Sequence, residues 1–184
     1  MKPIILASSS ITRAQILDAF GIPFTQRACD FDEESLRIAD PAHFVYHATK
    51  GKMQSYLEKW DVQIPVLCAD TVVTTNGEIL RKAKDKEDAR RILEKQSGNK
   101  VSIITCMIYK SCEYELIDLS STEYLFLPFD AYELDAYLEG DEWMGKAGAC
   151  MVEGFCKKYI KEVVGFESTA MGLCVEKLMP FLTK

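Results

Sequence analysis

The sequence predicts a single α/β domain with a mixed sheet flanked by helices. Three observations predict this fold class: strands alternate with helices in the first half of the chain, a long pair of β-rich segments follows, and no linker or internal repeat interrupts the 184 residues. At about 150 residues per domain, this length corresponds to one domain over residues 1–184. A chain of this size buries about 70% of its unfolded surface, so folding needs neither a disulfide nor a structural metal.

The first half of the chain alternates strands and helices. The predicted elements are a strand over 2–7, a helix over 11–20, a strand over 22–28, a helix over 41–59 and a strand over 66–69. The first helix follows Ser8-Ser9-Ser10, repeats apolar residues every three or four positions, and ends before Gly21. The last strand is entirely apolar, so we expect it to be buried and Asp70 to stand at its end.

The second half contains more strand than helix. Asn76-Gly77 is the strongest hairpin signal in the sequence and joins a strand over 71–75 to one over 78–80. Asp85 then caps a helix that continues to about Gln96. The remaining predicted elements are strands over 101–109 and 114–126, a helix over 131–140, a strand over 159–164 and a final helix from about Met171.

Charge argues against nucleic acid as a partner. The net charge is −6, residues 1–92 are balanced at 13 basic and 13 acidic side chains, and the segment between Lys110 and Lys146 holds ten carboxylates and no cation. A protein that binds nucleic acid needs a row of Lys and Arg along the phosphates, and this chain has no such surplus of cations.

No apolar run approaches the roughly 20 residues of a membrane span, and no signal peptide is evident. We therefore expect a cytoplasmic protein with neither a nucleic-acid nor a membrane partner.

Cysteine and histidine do not form a recognisable metal or catalytic motif. The seven cysteines include no CxxC pair and lie largely in apolar segments, which is typical of free thiols in a reducing compartment. His43 and His47 stand four apart on a predicted helix but lack the carboxylate of an HExxH site. Because no serine or cysteine nucleophile motif accompanies them, a hydrolase of the Ser-His-Asp or Cys-His type is poorly supported.

The segment from Ser8 to Arg13 has the composition of a phosphate site. It lies between a strand and a helix, where backbone N–H groups of the helix N-terminus, the hydroxyls of Ser8 and Ser10, and Arg13 can together bind an anion. The alternative is an ordinary serine N-cap with a solvated arginine, and spacing alone favours that alternative.

Asp70 and several other charged residues are candidates for chemistry. An aspartate at the end of an apolar strand can hold a divalent metal or accept a proton from water, or it can simply cap a turn. The lysines at 50, 52, 82 and 146 each resemble surface residues unless the fold brings them beside Ser10 and Arg13. Glu33 and Glu34 lie in an acidic loop that either binds a metal or a base edge, or is solvated.

Taken in order, these segments resemble the Maf family of nucleoside triphosphate pyrophosphatases over nearly the whole chain. The matching segments are Leu6-Ala7-Ser8-Ser9-Ser10-Ile11-Thr12-Arg13, the acidic Glu33-Glu34, Ala48 to Lys52, Ala69-Asp70-Thr71, Asn76 to Lys82, Gln96-Ser97-Gly98, Lys146 to Gly154 and Ala170 to Cys174. The resemblance implies an inosine-triphosphatase-like fold with an elongated, twisted sheet and an active-site cleft between two lobes.

The family resemblance also implies an activity and a set of site residues. The activity is hydrolysis of a nucleoside triphosphate to the monophosphate and pyrophosphate, with magnesium or manganese as cofactor, in a protein that forms homodimers and is linked to division arrest. The implied catalytic residues are Asp70, Lys52 and Lys82, with Asp70 as the base and Asp70 and Glu33 as metal ligands. The implied substrate-binding residues are Ser8, Ser10, Thr12, Arg13, Glu33, Thr71, Lys146 and Glu153.

The chain departs from the family pattern at several positions. Thr12 replaces the first arginine of a pair, which removes a cation worth roughly 1.5–3 kcal/mol if it were bonded to phosphate. Thr71 resembles the branch that acts on dTTP and UTP, whereas Glu153 resembles the branch that acts on 7-methyl-GTP, so the preferred base stays open. The alternative function is a regulatory protein of the same fold that binds nucleotides and has lost turnover, which Thr12 favours.

Overall fold

Seven strands and six helices make up this protein in a computed structural model that describes residues 1–182. The strands are β1 (Ile4–Leu6), β2 (Phe24–Gln26), β3 (Val66–Thr75), β4 (Glu78–Leu80), β5 (Lys100–Lys110), β6 (Glu115–Phe126) and β7 (Ile160–Val164). The helices are α1 (Ile11–Ala19), α2 (Pro41–Leu57), α3 (Lys86–Gln96), α4 (Ala131–Glu139), α5 (Glu167–Ala170) and α6 (Val175–Leu182). Two 3₁₀ turns, Glu33–Ser35 and Phe155–Tyr159, complete the regular structure.

The strands form one mixed sheet in the order β2-β1-β3-β5-β6-β7, with β4 paired to β3. β1 is parallel to β2 and to β3, with Leu6 opposite Leu67, whereas β4 is antiparallel to β3 and β7 is antiparallel to β6. The chain is therefore the mixed α/β domain that the sequence predicts.

The chain divides into two compact units. Unit 1 comprises residues 1–71, 104–121 and 166–184, and unit 2 comprises residues 72–103 and 122–165. Unit 1 contains two clusters of buried apolar side chains, one around Leu17 and Leu67 and one around Met53 and Tyr56. Unit 2 contains one such cluster, around Leu93 and Leu138. The location of the active site in a cleft between two lobes stays a prediction.

The local signals in the sequence produce the predicted turns and caps. The Ser10 side chain caps α1 by accepting a hydrogen bond from the Arg13 backbone N–H. The Asp85 side chain caps α3 by accepting one from the Asp88 backbone N–H. Asn76 and Gly77 adopt φ angles of 50° and 77°, the left-handed conformation that a two-residue hairpin turn requires. These predictions are confirmed.

Three predicted boundaries are wrong. β3 is one continuous strand of ten residues, so Asp70 lies inside it rather than at its end. The strand continues past Asp70 because residues 73–75 pair with β4, and the buried carboxylate itself is paired with Lys52. The second strand covers only Phe24–Gln26, and the last helix begins at Val175 rather than near Met171, because Gly172 adopts a φ of +108°.

Other expectations concern thiols and membranes. All seven cysteines are free, and four of them (Cys68, Cys106, Cys156 and Cys174) are buried while Cys112 is exposed. Among residues 1–182, no helix is both long enough and apolar enough to span a bilayer.

Candidate functional site

The loop between β1 and α1 is held in place by hydrogen bonds from both sides. The Ser8 hydroxyl accepts from the Ser10 backbone N–H at 3.2 Å, and Ser10 caps α1. The Gln26 side-chain amide donates to the carbonyls of Ser8 and Ser10, at 2.8 and 3.2 Å. Gln26 thus fixes the loop from the neighbouring strand β2, a role that no spacing in the sequence indicated.

Arg13 is anchored by three different partners. Its Nε donates to the Gly172 carbonyl at 2.8 Å, Nη1 donates to the Ser8 hydroxyl at 3.2 Å, and Nη2 donates to the Thr71 hydroxyl at 3.1 Å. A guanidinium carries five N–H groups, and these three bonds leave two of them without a partner within residues 1–182. Burial lowers the pKa of Arg13, an effect that the nearby charges of Asp70 and Glu33 oppose, and the group stays protonated. Arg13 is therefore a fixed cation, not the solvated arginine of the simpler interpretation.

Lys52 lies between two carboxylates. Its Nζ is 2.5 Å from Asp70 Oδ1 and 2.6 Å from Glu33 Oε1. The side chains of Lys52 and Asp70 are 14% and 6% exposed, whereas Glu33 is 40% exposed. Helix α2 supplies the lysine, strand β3 supplies the aspartate and a 3₁₀ turn supplies the glutamate, so the structure brings together three residues that the sequence placed in separate segments.

Burial dominates the protonation of Asp70. It raises the pKa of this carboxyl, and the charge of Glu33 raises it further, while Lys52 and Arg13 lower it. Asp70 Oδ1 accepts a hydrogen bond from Lys52, but the buried Oδ2 has no hydrogen-bond partner among residues 1–182. A buried carboxylate with one unpartnered oxygen and a raised pKa is a stronger base than an ordinary surface aspartate.

The segment around Glu33 is docked on helix α2 at several points. A Cβ on Gly51 would lie 2.3 Å from the ring of Phe31, so only glycine lets this ring lie against the helix. The Ser55 hydroxyl donates to the Asp30 carbonyl at 2.5 Å, and Lys59 pairs with the Asp30 carboxylate at 3.2 Å. These contacts hold the acidic loop in the position from which Glu33 contacts Lys52.

The other predicted site residues belong to unit 2 and are exposed. Lys82, Lys146 and Glu153 are exposed, and none of them forms an ion pair within residues 1–182. Lys146 and Glu153 line a cavity of about 410 Å³, whose wall includes the stacked rings of Tyr137 and Phe155. Its other lining residues include the carboxylates of Asp141 and Glu142, so the cavity wall is partly aromatic and partly acidic.

The carboxylates of unit 1 fit a divalent cation. Asp70 Oδ2 has no hydrogen-bond partner within residues 1–182, and Glu33 uses only Oε1 toward Lys52 in its ion pair. Magnesium binds proteins through one or two carboxylates together with substrate phosphates and water, so this pair is sufficient for it. Within the described part of the chain, no group of three or more His, Cys, Asp and Glu side chains is placed to hold a metal without a substrate.

Comparisons with known proteins find relatives that match almost the whole chain. The family model described as "Maf-like protein" matches residues 3–184. A protein of a Nitratiruptor species named "Nucleoside triphosphate pyrophosphatase" is 60% identical over 94% of this chain and 95% of its own length. A protein of the same name from Helicobacter pylori (strain J99) is 40% identical over 96% of this chain and 93% of its own length.

A more distant relative of that name, from Campylobacter jejuni, is 36% identical over 97% of this chain and 100% of its own length. Among solved structures, the Staphylococcus aureus Ham1 protein aligns with a TM-score of 0.48 at 13% identity, covering 68% of this chain and 72% of that one. The classification therefore depends on the sequence matches. Fold and site define an α/β protein with a cationic loop beside a buried carboxylate, and the chain belongs to the Maf family.

Proposed function

We propose that this chain is a nucleoside triphosphate pyrophosphatase, which hydrolyses the bond between the α- and β-phosphates and releases a nucleoside monophosphate and pyrophosphate. The names of relatives at 60% and 40% identity support this activity. The observation that carries the proposal is the buried Asp70 carboxylate: Lys52 contacts one of its oxygens, and the next residue in the chain, Thr71, contacts Arg13.

The triphosphate binds through the loop that precedes α1. Arg13 offers two N–H groups that its protein partners leave free, and the Ser8 and Ser10 hydroxyls lie on the same loop. Thr12 stands on the first turn of α1 beside Arg13 and can contribute a hydroxyl, but no charge. Lys82 and Lys146, both exposed, would add cations, and Glu153 and Thr71 would bear on the choice of base.

Asp70 acts as the base for the attacking water. The water donates a proton to Oδ2, the oxygen without a protein partner within residues 1–182, while its oxygen bonds to phosphorus and the bridging oxygen leaves with the pyrophosphate. Lys52 keeps Asp70 oriented through Oδ1 and balances its charge. Glu33, together with Asp70 until it takes the proton, would hold magnesium or manganese, which when bound would supply positive charge against the phosphates.

The preferred base stays open: the substrate is either dTTP or UTP, or a modified nucleotide. We also propose that residues 1–184 work as one Maf-like domain, that the protein acts in the cytoplasm, that it forms a homodimer, and that it contributes to division arrest. Replacement of the family's arginine by Thr12 favours one alternative, a nucleotide-binding regulator with weak turnover.

A product assay tests the proposal. The purified protein is incubated with a panel of nucleoside triphosphates and magnesium or manganese, and pyrophosphate and orthophosphate are measured separately. We expect one pyrophosphate for each monophosphate and no orthophosphate. Release of orthophosphate would contradict the reaction, and tight nucleotide binding without any product would support the regulatory alternative.

A further inference from the structure

A row of hydroxyl groups connects Arg13 to the C-terminal segment of unit 1. Arg13 Nη2 lies 3.1 Å from the Thr71 hydroxyl, which lies 2.9 Å from the Thr105 hydroxyl, which lies 2.7 Å from the Thr169 carbonyl. Strand β3 supplies Thr71, strand β5 supplies Thr105 and helix α5 supplies Thr169. Thr105 itself lies outside every motif described above.

The direction of donation along this row is determined by its two ends. A guanidinium only donates and a carbonyl only accepts, so Arg13 donates to Thr71, Thr71 donates to Thr105, and Thr105 donates to the Thr169 carbonyl. The Thr71 hydroxyl can present a lone pair to Arg13 because its O–H group is directed at Thr105 Oγ1. Thr105 is 0% exposed, so water cannot replace it without entering the core.

The same segment holds Arg13 a second time. The Gly172 carbonyl accepts from Arg13 Nε at 2.8 Å, and a Cβ on Gly172 would lie 3.3 Å from both Arg13 Nε and Thr71 Oγ1. The Gly172 carbonyl thus holds the guanidinium directly, whereas the Thr169 carbonyl acts on it through the hydroxyls of Thr105 and Thr71.

We propose that Thr105 is a positioning residue for phosphate binding: by accepting a hydrogen bond from the Thr71 hydroxyl, it orients the oxygen that holds Arg13. The inference depends on the proposed function, because the role of Arg13 in binding triphosphate is part of that proposal. Thr105 itself touches no substrate. Its contribution is expressed entirely through the guanidinium of Arg13.

The kinetics of three variants test this role. Thr105→Val keeps the shape of the side chain and removes the hydroxyl, and we expect KM for the triphosphate to rise about tenfold with a smaller change in kcat. Thr105→Ser keeps the hydroxyl and should restore KM to within about twofold. Thr74→Val is the matched control, because Thr74 is a buried threonine of the same strand as Thr71 whose hydroxyl has no partner within residues 1–182.

A double-mutant cycle separates positioning from a general loss of structure. In an Arg13→Ala background, Thr105→Val should change KM by less than about twofold, because the group that it positions is gone. An equal loss in both backgrounds, or a Thr105→Val enzyme with normal KM, would overturn the inference. If Thr105→Val does not fold, Thr71→Val interrupts the row one residue earlier and should show the same dependence on Arg13, and a normal KM for that variant would also overturn it.

The two proposals fail in different ways. If Arg13→Ala itself leaves KM and kcat unchanged, phosphate binding by the loop is wrong and the positioning role is wrong with it. If Arg13→Ala raises KM but Thr105→Val does not, the proposed function stands and only the inference about Thr105 is lost.

Discussion

The charged side chains that the sequence singled out in unit 1 differ from those in unit 2 in exposure and in their protein partners. In unit 1, Lys52 is 14% exposed and lies between two carboxylates, and Arg13 has three protein partners. In unit 2, Lys82, Lys146 and Glu153 are exposed and form no ion pair within the described residues. Lys52 and Arg13 are therefore held by protein partners before a substrate binds, whereas the three side chains of unit 2 are exposed to solvent.

This difference has consequences for catalysis. A fixed group loses little conformational entropy when substrate binds and can be aimed at the reacting atoms, so its removal should lower kcat. An exposed lysine side chain loses conformational entropy when a substrate orders it, which costs about 0.5–1.5 kcal/mol of binding free energy. Its net contribution to substrate binding is smaller by that amount. Substitutions of Asp70 and Lys52 in unit 1 should thus have large effects on turnover. Substitutions around Arg13, which binds the substrate, should act mainly on KM, and substitutions in unit 2 should have small effects on KM.

The largest effect is expected from Asp70→Asn. This change keeps the size of the side chain but removes the basic oxygen and the charge, so kcat should fall at least about a hundredfold. Asp118→Asn is the matched control, since Asp118 is also a largely buried carboxylate of unit 1 that pairs with a lysine, Lys177. Retention of more than about a third of the activity by Asp70→Asn would exclude this residue as the base.

The stability of Asp70→Asn checks that the loss is chemical. Because burial raises the folded-state pKa of Asp70 above its unfolded value, the folded protein binds this proton more tightly. Its contribution to stability is present below the unfolded pKa and is lost as the pH rises through the folded pKa. Asparagine does not titrate, so thermal melts at increasing pH should show the variant gaining stability relative to the parent.

A second, somewhat smaller effect is expected from Lys52→Met. This change leaves Asp70 and Glu33 without the cation between them, so the pKa of Asp70 should rise further. Since the base must be ionised, the acidic limb of the pH profile of kcat should move to higher pH, and activity at pH 7 should fall about tenfold or more. An unchanged acidic limb in a folded variant would show that Lys52 does not control Asp70.

Local signals in the sequence predicted the start of helix α1 in unit 1. A serine before an amphipathic segment predicted the Ser10 cap, and Arg13 on the first turn followed from it. The interpretation of Asp70 as the end of a strand was wrong, since β3 continues to Thr75. Its ion pair with Lys52 could not be predicted from spacing, because the two residues are 18 positions apart and lie on different elements.

Contacts between distant segments were not predictable from spacing. Thr71 and Thr105 are 34 residues apart, and Arg13 and Gly172 are 159 apart, so only the folded sheet brings them together. Gly172 does stand in a segment that resembles the family pattern, which was the one available signal for it. Lys82 and Lys146 had been candidates only if the fold brought them beside Ser10 and Arg13, and Glu153 was named by the family resemblance alone.

A third prediction restores the missing cation of unit 1. Thr12→Arg would place a second arginine beside Arg13 at the start of α1, and a charge-assisted bond to a partly exposed phosphate is worth roughly 1–2 kcal/mol. KM for the triphosphate should improve about five- to thirtyfold at low salt, and the gain should shrink as salt increases.

The control for Thr12→Arg is Arg27→Gln, which removes a cation that donates to the Tyr56 hydroxyl and lies over the Trp60 ring. This change should leave KM nearly unaltered. A Thr12→Arg protein that is folded and has the parent's KM at low salt would show that position 12 does not face the phosphates.

The smallest effect is expected from Lys146→Gln in unit 2. Lys146 is exposed and lines the 410 Å³ cavity together with Glu153, so it can approach a nucleotide only by ordering a flexible side chain. We expect KM to rise about threefold, with kcat and the melting temperature unchanged. Lys161→Gln, at an exposed lysine of β7 in the same unit, should have no effect on either constant. A fall in kcat of about a hundredfold for Lys146→Gln would contradict the difference between the two units. Lys146 is exposed and has no ion pair in the described part of the chain, so such a fall would mean that it supports the chemical step as strongly as the buried Asp70.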